Sequence, residues 1–154
     1  MSRCFELALK GLGEVAPNPM VGAVIVHNNE IIGEGYHKKF GEPHAEVNAI
    51  HDAIENGYGG QLSESTIYVN LEPCAHFGKT PPCSDLIITY NLKKVVISNI
   101  DPHIKVAGNG IKKIREAGIE VVTDILPKEG RELNRRFFTY HEQKRPYTIL
   151  KFAQ

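Results

Sequence analysis

Four side chains in this sequence have the types and spacing to do chemistry together: His44 and Glu46, one residue apart from being adjacent, and Cys74 and Cys83, separated by eight residues. Zinc takes imidazole and thiolate ligands, and three protein ligands leave its fourth tetrahedral position open to water. His44, Cys74 and Cys83 would make such a site, holding one Zn²⁺ per chain. Two thiolates offset the charge of the ion and weaken its pull on water, so a nearby base becomes more necessary. Glu46 suits that role. Not a ligand itself, it could take the water proton and pass it to a ring nitrogen and then to a leaving amine. Residues two apart in a regular helix point about 200° apart, so His44 and Glu46 can converge only at an irregular first turn. Gly41-Glu42-Pro43 supplies that turn.

A cysteine pair with one remote histidine also fits a structural zinc site, which is normally closed by a fourth Cys or His. His76 is the candidate for that closure, but its place in the loop His76-Phe77-Gly78-Lys79 favours a substrate role. Lys79, flanked by Gly78 and Thr80 between two candidate ligands, reads as a phosphate or carbonyl contact. Cys4 falls on an amphipathic stretch and reads as a small buried hydrophobe. His27, His51 and His141 carry no supporting spacing and read as surface or boundary residues. Arg131, Arg135 and Arg136 read as a solvated helix face.

The elements that must position these residues alternate along the chain. Phe5, Ala8, Leu9 and Leu12 predict an amphipathic helix over 2–13. Pro17-Asn18-Pro19 forces a turn, and Val21–Val26 and Ile31–Tyr36 around Asn28-Asn29 predict a hairpin. Ala45, Ala49 and Ala53 with Ile50 and Ile54 form a helical stripe over 44–56, closed by Asn56-Gly57 and followed by a linker. Strands are expected over 66–71, 94–98 and 119–123. A short helix capped by Ser84 is expected over 84–90, another over 110–117, and a long one over 128–143 ended by Pro146. This order argues for an α/β fold with three layers and a sheet that is mostly parallel after the hairpin. Residues 147–154 read as a further strand without a partner.

Composition narrows the function classes. The 154 residues fit one domain of about 150. Eighteen basic and eighteen acidic residues give a net charge of +0, which argues against nucleic acid or an anionic membrane as the general partner. The start of the chain has no signal peptide and no apolar run spans a bilayer, so a cytoplasmic protein is expected. Three cysteines, an odd count, point to metal binding or catalysis before a disulfide framework.

The motif H-x-E followed by P-C-x-x-C is the signature of zinc nucleobase deaminases, and this sequence departs from it in the long interval between its cysteines. Pro17-Asn18-Pro19-Met20-Val21-Gly22-Ala23-Val24, Gly35-Tyr36-His37, His44-Ala45-Glu46-Val47, the run from Leu71-Glu72-Pro73-Cys74 to Thr80-Pro81-Pro82-Cys83, and Asp101-Pro102 with Val106-Ala107-Gly108 share one resemblance. Together they closely resemble the deaminase half of the bifunctional deaminase/reductase of riboflavin biosynthesis, from the first helix to about residue 146. The resemblance implies a cytidine deaminase-like three-layer α/β/α sandwich with a central mixed sheet of about five strands. It implies hydrolytic deamination of 2,5-diamino-6-ribosylamino-4(3H)-pyrimidinone 5′-phosphate to 5-amino-6-ribosylaminouracil 5′-phosphate, with release of ammonia.

The same resemblance implies that His44, Cys74 and Cys83 hold the zinc and that Glu46 is the proton shuttle. It places Asn18, His37, His76 and Lys79 around the pyrimidine and ribose phosphate, and Asp101 at the start of a substrate-side loop. That loop departs from the family's Asp-Pro-Asn-Pro: His103 and Ile104 stand for Asn and Pro, and His103 could still donate to sugar or phosphate. Residues 1–146 are then the deaminase domain, and 147–154 resemble the opening strand of an NADPH-dependent reductase domain absent from this chain. NADPH is therefore not expected here, and the reductase is fused or separate in the natural system; a homo-oligomer stays open. The competing readings are a deaminase of cytosine or of tRNA adenosine, and a non-enzymatic zinc-stabilised interaction domain. The long loop and neutral charge argue against the first, and Glu46 against the second.

Overall fold

Asn28 and Asn29 take positive φ values of 49° and 67°, as a two-residue hairpin turn requires. They join β1 (Gly22–His27) to β2 (Glu30–Tyr36) in an antiparallel pair with a bulge at Ile25/Val26. The computed structural model describes residues 1–77, 81–103 and 107–152. On its other side β1 pairs antiparallel with β3 (Thr66–Leu71), which pairs parallel with β4 (Lys94–Asn99), itself parallel to β5 (Glu120–Val122). The result is a five-stranded mixed sheet in the order β2-β1-β3-β4-β5.

Alternate residues of β1 serve opposite layers, as the pleat dictates. Ala23 and Ile25 join the main core with α2 (Ala45–Glu55), α3 (Cys83–Thr89) and α4 (Asn109–Glu116). Val24 turns the other way, against Cys4 and Leu7 of α1 (Ser2–Leu9). The three layers are thus α/β/α. The Ala45, Ala49, Ala53 stripe is what lets α2 lie close on β2. A Cβ at Gly35 would come within 2.3 Å of the Ala49 nitrogen, and one at Gly33 within 2.4 Å of the Ala49 oxygen. Glycine is needed there for close approach rather than for a turn.

Several expectations require correction. The buried face of α1 is Cys4, Leu7 and Ala8, whereas Leu9, the last helical residue, and Leu12, beyond the helix end, are exposed. Ser84 does not cap α3: Pro82 holds the cap position, and Ser84 is buried in the first turn. The linker after Gly57 contains a 3₁₀ helix, Gly59–Glu64. The long helix expected over 128–143 is two helices, α5 (Pro127–Leu133) and α6 (Arg135–Gln143). The break falls at Asn134, whose side chain accepts from the Met20 N–H and donates to the Met20 carbonyl, both at 2.8 Å. Residues 147–152 form no strand and are exposed. Among the described residues no helix is long and apolar enough to cross a membrane.

Candidate metal centre and its cavity

His44 is the N-cap of α2, with extended backbone at φ −72° and ψ 167°. That break in helical geometry lets His44 and Glu46 face one site. Cys74 follows the end of β3, and Cys83 opens α3 after Pro82. His44 Nδ1 lies 3.7 Å from Cys74 Sγ and 3.4 Å from Cys83 Sγ. All three donor atoms fall within 4.8 Å of one another. A tetrahedral zinc with its usual bond lengths separates a nitrogen from a sulfur ligand by about 3.6 Å, so the donors fit this ion in both type and spacing. Among the described residues His76 is not one of the donors brought together in this cluster.

The Cys74 thiol is brought down to about 4 by its hydrogen bond with Cys83 and then by His44, while Cys83 is pushed up by its hydrogen bond with Cys74 and by burial. The Cys83 N–H also donates to Cys74 Sγ at 3.3 Å. His44 is raised to about 9, first by Cys74. Glu46 is almost wholly buried, and burial pushes its carboxyl up to about 7.

His37 is held at both ring nitrogens. Its Nε2 accepts from Asn18 Nδ2 at 3.1 Å, which leaves Nδ1–H to donate to the Pro43 carbonyl at 3.1 Å. Burial holds its pKa down, in keeping with a neutral ring. His37 therefore fixes Asn18 and the residue before His44, and its ring meets the His44 ring edge-on at 5.4 Å. Asp101 is buried and accepts from the His103 N–H at 2.7 Å.

A cavity of about 500 Å³ opens over the cluster. The sequence-derived residues His44, Glu46, Cys74, Asn18, His37, His76, Asp101 and His103 all line it; Cys83 reaches the cluster from below without lining the cavity. Lys79 lies outside the described residues.

Two contributions were not visible in the sequence. Glu72, buried beside Pro73, accepts four backbone N–H groups: Gly110 and Ile111 on Oε1, Asp101 and Gly108 on Oε2. It ties the start of α4 and the Asp101 turn to the strand end that carries Cys74. Phe137, Tyr140 and His141 of α6 also line the cavity. This corrects the reading of His141 as a surface or boundary residue: its place on α6 turns it into the cavity.

Residues 1–99 match the family model of the cytidine and deoxycytidylate deaminase zinc-binding region. The chain is 50% identical over its whole length to riboflavin biosynthesis protein RibD of Aquifex aeolicus, covering 42% of that protein. It is 49% identical over 138 residues to the diaminohydroxyphosphoribosylamino-pyrimidine deaminase of Buchnera aphidicola subsp. Schizaphis graminum, covering 90% of each. The crystal structure of a diaminohydroxyphosphoribosylaminopyrimidine deaminase/5-amino-6-(5-phosphoribosylamino)uracil reductase from Thermotoga maritima superposes with a TM-score of 0.90 at 50% identity, over 96% of this chain and 41% of that one. The chain thus spans about two fifths of the length of the first curated relatives it matches.

Proposed function

The chain belongs to the cytidine and deoxycytidylate deaminase zinc-binding family, among the diaminohydroxyphosphoribosylaminopyrimidine deaminases, and from that premise we propose that it hydrolyses the exocyclic amine of 2,5-diamino-6-ribosylamino-4(3H)-pyrimidinone 5′-phosphate. The observation that carries this reading is the imidazole-thiolate-thiolate cluster beside a buried carboxylate. His44, Cys74 and Cys83 would hold one Zn²⁺. Zinc in a site with three protein ligands supplies Lewis-acid activation of water. Glu46 would carry the first water proton to the neighbouring ring nitrogen as the C–O bond forms, and the second, from the resulting hydroxyl, to the amine, which leaves as ammonia as the C–N bond breaks. Asn18, His37, His76, Asp101 and His103 would surround the remainder of the substrate; Lys79, outside the described residues, is added to them on the sequence resemblance alone.

The relatives support the substrate by their names alone, one of them nearly coextensive with this chain and named only as a deaminase. The deaminase unit occupies residues 1–146 in this reading, residues 147–154 open a reductase domain, and the protein works in the cytoplasm. Ammonia release from the diaminopyrimidine ribose phosphate, from cytidine and from tRNA tests the proposal. The first should react fastest, and Glu46→Gln should retain zinc while losing about 10² to 10⁴-fold in kcat. Faster release from cytidine or tRNA overturns the substrate, and a Glu46→Gln rate within a few-fold of the parent overturns the proton role.

A further inference from the structure

The cavity has a second wall, built from elements that supply no metal ligand. His103, in the turn after β4, and His141, on α6, meet edge-on with ring centroids 4.9 Å apart. Phe137, one helical turn before His141, backs the latter ring at 4.5 Å. Both imidazoles line the cavity that also holds His44 and Glu46. We propose that His141 is a specificity-determining residue, forming with His103 an imidazole pair that binds the phosphate of the substrate.

This inference rests on the phosphorylated pyrimidine proposed above, and it follows from what the cavity offers an anion. Among the described lining residues there is no lysine or arginine, so histidines are the lining side chains able to carry positive charge. His44 belongs to the metal cluster, His37 has both ring nitrogens engaged with Asn18 and Pro43, and His76 stands two residues from the metal-cluster residue Cys74, whereas His103 and His141 come from elements that supply no metal ligand. His103 and His141 are close enough together to serve one phosphate group, whose oxygens take charge-assisted hydrogen bonds at about 2.7–2.9 Å. Burial, the neighbouring His103 and Lys144 hold His141 below the ordinary histidine range. An anion seated against the pair offsets that repulsion. The Phe137 backing fixes the His141 ring at little cost in side-chain freedom, so its N–H direction is set before the ligand arrives.

Two variants separate recognition of phosphate from simple packing: His141→Phe keeps a flat ring against Phe137 and removes the N–H, and His141→Gln keeps a donor without the charge. With the zinc-loaded protein, His141→Phe should raise KM about ten-fold or more for the phosphorylated substrate. Its kcat should stay within a few-fold, and KM for the dephosphorylated nucleoside within two-fold. His141→Gln should recover part of the loss. An equal rise in KM for both substrates would show that His141 packs against the sugar or base, and no rise for either would show that it takes no part; both overturn the proposal.

A binding measurement keeps this test separate from the activity assigned above. Ribose 5-phosphate, titrated into the parent protein and followed by imidazole NMR signals, should shift His103 and His141, and should bind His141→Phe at least ten-fold more weakly. Binding that is absent, or equal in the two proteins, overturns the phosphate site whatever the enzyme turns over. Binding as expected in a protein that does not deaminate the pyrimidine overturns the substrate reading and leaves the phosphate site standing.

Discussion

Burial pushes the Asp101 carboxyl up from its ordinary 3.8 to about 6, with the nearby Glu72 adding to the shift and the His103 N–H opposing it. A carboxyl that binds its proton more readily in the folded chain than in the unfolded one stabilises the fold at low pH. That contribution is complete below about pH 3.8 and is lost as the pH rises through about 6. Asp101→Asn removes the titration, yet its amide oxygen can still accept the His103 N–H. Urea unfolding of both proteins should therefore give a stability difference that grows in favour of the variant between about pH 4 and 6 and levels off above 7. A difference that stays constant across this range would place the perturbed group elsewhere. The substitution also bears on the site, because the Asp101 turn carries His103 into the cavity.

At the scale of elements, three devices put the chemistry in place. Gly33 and Gly35 admit the alanine stripe of α2, and the close seat on β2 fixes where His44 and Glu46 arrive. Glu72 gathers four N–H groups from the Asp101 turn and the start of α4 onto the end of β3. Asn134 holds both polar backbone groups of Met20, joining the start of α6 to the segment that carries Asn18. The alanine stripe was legible from its helical spacing, whereas its fit against Gly33 and Gly35 emerges only in the fold. The roles of Glu72 and Asn134 were not legible, because each depends on partners 29 to 39 and 114 residues away, respectively. The continuous helix expected over 128–143 failed for that reason: Asn134 has tolerable helix propensity, and only its capture of Met20 shows why the chain breaks there. Asn134→Ala removes both of its bonds to Met20, though Asn70 still donates to the Met20 carbonyl at 3.0 Å. We expect a loss of about 1–3 kcal/mol in urea unfolding, since a partly buried N–H is left without its acceptor. A change below about 0.5 kcal/mol would mean that Met20 finds another partner and that α6 is held by its apolar face alone.

Across the whole molecule, the site sits where β3 and β4 release the chain at their carboxyl ends. There β3 has an antiparallel neighbour on one side and a parallel one on the other. Crevices at such ends are where open α/β sheets bind ligands, so much of the location was legible once the alternation of strands and helices had been read. The ligand types were legible for a different reason: imidazole and thiolate are uncommon, and His44, Cys74 and Cys83 each stand next to a proline or a helix start. The wall contributed by α6 stayed hidden: His141 read as a surface or boundary residue, and local spacing does not distinguish such a position from one that faces a cavity. The segment after Pro146 read as a strand without a partner in this chain, and residues 147–152 lie exposed and outside the sheet. The Arg135 guanidinium over the Tyr147 ring, 5.2 Å from its centroid, ties this segment back to α6, and an exposed contact of that kind is worth about 0.5–1 kcal/mol. A protein ending at Pro146 should accordingly unfold within about 1 kcal/mol of the parent and keep its rate of ammonia release. One ending at Leu133 should not, because it loses the buried Phe138 together with Phe137 and His141 of the cavity wall. Loss of more than about 2 kcal/mol from the shorter deletion would show that residues 147–154 belong to the deaminase unit, and the proposed boundary at 146 would then be wrong.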